Sequence, residues 1–199
     1  MQVIPFDPDY EPPPTGNTPD QRHFLKILEK KVLWLSTWMI HHANNIREGD
    51  GELKVGGHQA SCASMVTIMT ALYFSVLKPE DRVAIQPHGS PVFHAIQYLY
   101  GKQDKDHLAR FRALGGAQSY PSRTKDIDDV DFSTGSVGLG VAMTSFAALI
   151  QDYLEAHSSD HIPVPSCRVH QTLPSHARDH CLHGTALPHQ QTLIDRRVL

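Results

Sequence analysis

Three short segments between residues 56 and 140, GGHQASCAS, QPHGSP and STGSVGLG, place glycine or small residues beside polar groups. His58 stands in the first, Gln86 and His88 in the second, and Val137, Gly138 and Gly140 in the third. Each segment falls where a loop should hand over to a helix. A helix N-terminus offers unpaired backbone N–H groups and a partial positive charge, which suits a diphosphate. Glycine lets the backbone approach such a group with no Cβ in the way. Singly these signals are weak. Together they describe half of a site for an anionic cofactor.

The elements that must position these segments follow from apolar spacing. Asp20 or Thr18 can cap a helix running to about residue 47. Leu25, Leu28, Val32, Leu35 and Met39 make its apolar stripe, with Trp34 and Trp38 on a neighbouring line. A second helix is expected over about 59–77, ending before Pro79. The run RVAIQ, 82–86, reads as a short buried parallel strand. A helix over 90–99 has Pro91 in its first turn and Gly101 past its end. Another is expected over 106–114, closed by Gly115 and Gly116, and then an exposed, charged loop over 117–133. A strongly apolar helix follows over 138–156. Strand, loop and helix in this order indicate an α/β domain that is rich in helix and has few parallel strands.

Composition removes several function classes. The 199 residues carry a net charge of -3 with histidines neutral, and no Lys/Arg run resembles a nucleic-acid footprint. Cys62, Cys167 and Cys181 are odd in number and far apart, which argues against a disulfide framework. No secretory signal is visible in MQVIPFDPDYEPPPTG, and the apolar stretch 137–150 is too short to span a bilayer. A reducing cytoplasm is the expected compartment, with neither nucleic acid nor membrane as partner. Residues 1–18, with Pro12, Pro13 and Pro14, read as an extended arm.

After residue 156 the chain changes character. Residues 157–199 hold seven of the 14 histidines and two of the three cysteines, and show no apolar period. Two readings compete for this irregular His/Pro-rich tail. In one it binds metal weakly through Cys167, His170, His176, His180, Cys181 and His183. In the other it is sequence unrelated to the domain before it, such as out-of-frame read-through.

Residues of about 22–156 resemble the transketolase-like thiamine diphosphate enzymes. Within them the likeness is greatest to the N-terminal part of the decarboxylating subunit of homodimeric pyruvate dehydrogenase. The segments LKVGGHQASCASMVTIMTALYF, PHGSPVFHAIQYL, FRALGGAQSYPSRTKD and DFSTGSVGLGVAMT carry the resemblance, in the family's order. It implies a partial thiamine diphosphate-binding domain over 19–156. It implies that His58 lines the cofactor and substrate channel and that His88, with Gln86, contacts the cofactor and handles protons. Tyr120, in SYPSR, matches an active-site tyrosine. Val137 matches an apolar residue near the cofactor, and Gly138 and Gly140 the glycines of its turn. It also implies magnesium, a homodimer and, for a full-length enzyme, a dihydrolipoyl acyltransferase partner. His94, His107, His41 and His42 lack such context and read as ordinary structural histidines, and Cys62 as a buried thiol.

The family's metal ligands come from a GD-G/A segment and a later asparagine, because magnesium takes hard oxygen ligands. The string Gly49-Asp50-Gly51-Glu52 precedes His58, follows a helix end, and has no asparagine after Asn45 to complete it. It reads as a decoy, and no metal ligand is assigned. The family's metal segment should begin just after residue 156, where the histidine-rich tail begins instead, so that segment and the aminopyrimidine-binding domain with its catalytic glutamate are both expected to be missing. Two functions stay open: a truncated part of a 2-oxo acid decarboxylating or ketol-transferring enzyme, inactive alone, or a non-catalytic remnant that associates with a full-length partner.

Overall fold

The structure, a computed structural model, describes residues 19–48, 54–157 and 169–171. Helix α1, Pro19–His41, opens with proline where the missing N–H is no loss, and Asp20 sits in its first turn. Asp20 is therefore inside the helix instead of capping it, and Thr18 lies outside the described residues. Val32, Ser36, Met39 and Ile40 form its buried face, with Leu25, Leu28 and Leu35 half-buried along the expected stripe. Trp34 and Trp38 stack with ring centroids 6.2 Å apart. A π-helical turn, His42–Ile46, ends the helix.

Helix α2, Gln59–Ala71, continues through a second π-helical turn, Leu72–Val76. The stretch Gln59–Val76 is long and apolar enough to cross a membrane by length and composition. It is longer than the apolar stretch 137–150. Here it packs on α1 and on α3, Ser90–Leu99, and gives Cys62, Met65, Val66 and Met69 to the core. Strand β1, Arg82–Ala84, precedes α3 and is shorter than the run RVAIQ suggested. Phe93, Ile96 and Val92 of α3 are the centre of the core.

Helix α4 covers Lys105–Ala109 alone. The expected continuation to residue 114 fails because Arg112 takes a left-handed conformation, φ 62°, in a turn closed by Gly115. Asp104 caps α4: its carboxylate accepts from the His107 backbone N–H at 2.7 Å and from His107 Nδ1 at 2.7 Å. The backbone bond, then the imidazole, hold the Asp104 carboxyl below its usual range. Asp104→Ala is expected to cost about 1 kcal/mol, the ordinary worth of an N-cap. A lowered folded-state pKa means the contribution is present above the unfolded carboxyl value and lost as pH falls through the folded one. Urea titrations of both proteins at neutral and acid pH check this, since the difference should shrink on acidification.

Helix α5, Leu139–His157, packs on β1 and on a second strand, β2, Val169–Gln171. The strands are parallel, with Arg82 opposite Val169 and Ala84 opposite Gln171. Strand β2 lies within the tail read as irregular. Three residues are too few to show a period of two, so composition alone hid it. The loop 117–133 is also less exposed than its charges suggested: Asp128 and Val130 are buried, and Asp131 accepts the Val83 N–H at 2.8 Å.

Candidate functional site

The approach to His58 is fixed from the end of α1. Asn44 clamps Gly56 from both sides: Nδ2 donates to the Gly56 carbonyl at 3.0 Å and Oδ1 accepts its N–H at 2.8 Å. Arg112 Nη1 donates to the Val55 carbonyl at 2.7 Å. His58 then stands, exposed, at the N-terminus of α2.

Its imidazole meets that of His88 edge to face, with centroids 4.6 Å apart. His88 lies in a 3-10 turn, Pro87–Gly89, between β1 and α3. Gln86 Nε2 donates to the Ser136 carbonyl at 3.2 Å and faces His88 Nδ1 at 3.2 Å. A carbonyl only accepts, so that contact fixes which end of the amide is the donor. His88 Nδ1 must therefore accept, and the neutral ring carries its proton on Nε2. Tyr120 OH reaches Ser136 Oγ at 3.4 Å. Thr134 Oγ1 donates to the Ile85 carbonyl at 2.7 Å and ties the segment before Ser136 to the end of β1.

Gln86 and Tyr120 thus both bond Ser136, while His88 stands against Gln86 and His58 against His88. Val137 and Gly138 follow Ser136 directly and lead into α5. Val137 is 92% exposed and Tyr120 50%. Gly138 has φ +82° and a Cβ there would meet nothing, whereas Gly140 is buried inside α5. The cluster is an open face, and neither the hollow at Arg22 and Lys26 nor that between Arg82, Arg123 and Asp131 includes it. Asn44, Thr134 and Ser136 had no signal of their own in the sequence. The nearest one was the position of Ser136, inside the segment STGSVGLG.

The residues fit one side of a thiamine-type cofactor better than the other. Two imidazoles, an amide and a phenol can exchange protons and hydrogen bonds with a polar heterocycle. The N-terminal turn of α5 leaves room at Gly138 for an anion, but helix-end dipoles alone are a weak countercharge. Among the described residues, one group of His and Asp side chains has ligand spacing, namely His94, Asp126 and Asp128. It includes none of the site residues, and its polar atoms are already bonded. Asp126 accepts the N–H groups of Gln118 and Ser122, and Asp128 accepts Gln103 Nε2. The string 49–52, Cys167, His176, His180, Cys181 and His183 lie outside the described residues. For His170 only the backbone is described.

Cys62 borders the site from inside, its Sγ donating to the His88 carbonyl at 3.4 Å. Burial pushes the thiol pKa up to about 12, against smaller opposing effects of Arg112 and a backbone hydrogen bond. The thiolate is the reactive species, so native Cys62 should resist alkylation at neutral pH. Mass-spectrometric mapping after iodoacetamide treatment should find it modified in denaturant and unmodified in buffer.

The chain is 32% identical over 134 residues to the pyruvate dehydrogenase E1 component of Mycolicibacterium smegmatis, an alignment covering 62% of the chain and 14% of that protein. It is 31% identical over 134 residues to the E1 component of Mycobacterium tuberculosis, with 62% and 14% covered. The Escherichia coli K12 E1 component is 30% identical over 119 residues, 55% of the chain and 13% of that protein. No family model matches the chain. The chain is thus similar to pyruvate dehydrogenase E1 components, and the alignments span about a seventh of the length of these relatives.

Proposed function

We propose that the chain corresponds to an N-terminal, cofactor-facing part of a thiamine diphosphate-dependent enzyme that decarboxylates pyruvate or a related 2-oxo acid. We further infer that these 199 residues alone are inactive. The observation that carries this reading is the edge-to-face pair His58–His88, with Gln86 fixing the His88 tautomer. The carbanion chemistry of such enzymes belongs to the cofactor, and the protein supplies binding, orientation and electrostatics. In this reading His88 and His58 line the ligand's polar edge, and Tyr120 closes it from the loop. Val137 offers apolar contact, and Gly138 lets the turn before α5 approach the diphosphate, while Gly140 lies buried inside the helix. Magnesium belongs to the full-length enzyme in the same reading, and the described site residues of this chain supply no ligand set for it.

Chemical-shift mapping with millimolar thiamine diphosphate and magnesium tests the placement. Weak binding still moves amide and imidazole resonances. Shifts are expected at His58, His88, Tyr120 and 136–140, and shifts confined to other regions would refute the site.

Association with another copy or with a full-length partner is a second reading, favoured by the row of exposed apolar side chains on α5. Phe146, Leu149, Ile150 and Tyr153 are each at least 60% exposed. Sedimentation of the chain over a concentration series reads it directly.

A further inference from the structure

His94 sits on α3 with no exposed side-chain surface, and both of its ring nitrogens meet acceptors. Nδ1 bonds the Asp128 carboxylate, and Nε2 lies 2.7 Å from the Gln118 carbonyl oxygen. A backbone carbonyl cannot donate, and neither can a carboxylate. Both contacts are hydrogen bonds only if each nitrogen carries a proton. The second Asp128 oxygen accepts Gln103 Nε2 at 2.7 Å, which favours the ionised carboxylate.

The two partners of His94 are the two ends of one loop segment. Gln118 opens it and Asp128 closes it. Between them Asp126 folds the segment on itself, accepting the Gln118 N–H at 3.0 Å and the Ser122 N–H at 2.8 Å. Tyr120 lies between these anchors. We propose that His94 is a buried imidazolium that braces both ends of the loop 118–128 onto α3, making it a positioning residue for Tyr120 whose hold depends on pH.

The charged groups that face the ring are Asp128 and Asp126, both from the loop. From its own helix the ring meets Phe93, and from the turn after α4 it meets Phe111, over whose ring the Arg112 guanidinium lies at 5.5 Å. Burial alone would push the His94 pKa down. The bond and charge of Asp128, with the Gln118 carbonyl, outweigh burial and hold it above the ordinary imidazole value. A raised folded-state pKa gives stabilisation that is complete below the unfolded value and lost as pH rises through the folded one. Above that point one of the two bonds has no proton, and one end of the loop is released. The inference concerns the order of the loop and stands whether or not the proposed cofactor binds.

Nitrogen-15 NMR of the full chain tests it. At about pH 7.5, one unit above the ordinary imidazole value, both His94 nitrogens should show protonated shifts. Protection factors of amides in 118–128 should fall about tenfold per pH unit above the His94 midpoint, as loss of one bound proton requires, while those of α2 stay level. An unprotonated His94 nitrogen at that pH, or loop protection that ignores its titration, overturns the proposal. Asp128→Asn keeps an acceptor and removes the charge. It should move the His94 midpoint and the loss of loop protection down together, and an unmoved midpoint overturns the role of Asp128.

Discussion

Replacing Gly116 by alanine is expected to cost more than about 3 kcal/mol, above the usual overpacking range. A Cβ at this position would lie 1.9 Å from the Arg110 carbonyl oxygen and 2.5 Å from its carbon. Backbone atoms cannot swing aside as a side chain does. The turn around them is also cross-bonded: Gly116 N–H to Ala113, Ala113 N–H to Arg110, Ala117 N–H to His107 and Arg112 N–H to Ala117. Relieving one clash therefore breaks several bonds at the root of the loop that holds Tyr120. A chain of this size should lose about 6–12 °C in Tm for that cost. Gly138→Ala is the matched control, because its Cβ meets open space and only the positive φ is penalised, by about 1 kcal/mol. Scanning calorimetry of both variants reads the contrast, and equal shifts would show that the turn at 110–116 yields.

The second large expectation concerns affinity. The isolated chain should bind thiamine diphosphate with magnesium no more tightly than about millimolar, worth about 4 kcal/mol. The α5 terminus contributes about 0.3–1 kcal/mol toward an anion. Micromolar binding needs about 8 kcal/mol. Among the described residues no cluster of hard oxygen ligands joins the site, since His94, Asp126 and Asp128 are committed to the loop. Isothermal calorimetry is the check. A low-micromolar dissociation constant would show that the chain completes a cofactor site by itself, and turnover of pyruvate with an artificial electron acceptor would end the inactive-fragment reading.

Apolar spacing made the helices legible because burial at every third or fourth position leaves a period that composition cannot disguise. Val32 and Met39 on α1 and Met65 and Met69 on α2 are such positions. Pro91 and Gly101 marked the bounds of α3 for stereochemical reasons that are equally local. The loop 117–133 is less exposed than its sequence suggests because Asp126 and Asp128, which resemble solvated charges, are bonded within the fold. Their backbone and imidazole donors come from positions up to 34 residues away in the chain. His94 gives no signal in the sequence for the same reason, since its partners Gln118 and Asp128 lie far from it in the chain. Geometry brings His58 and His88 together, but what holds them, Asn44 on Gly56 and Ser136 on Gln86, depends on contacts between distant segments.

The parallel pairing of β1 with β2 has a consequence for the order of folding. Helices α1, α2 and α3 pack on one another through closures that span fewer residues than the strand pair does. The strand pair joins Arg82 to Val169, a closure of about ninety residues whose entropy must be met before any ladder bond forms. The helical core is therefore expected to form first and the sheet last. On the ribosome the gap is longer still, because β1 emerges well before its partner has been translated. Throughout that interval β1 offers an unpaired edge beside a finished core, and an unpaired edge is a template for any other strand. A Val169–Gln171 segment from a second copy would fit that edge as well as the chain's own, so concentrated refolding should yield strand-exchanged dimers that dilute refolding does not.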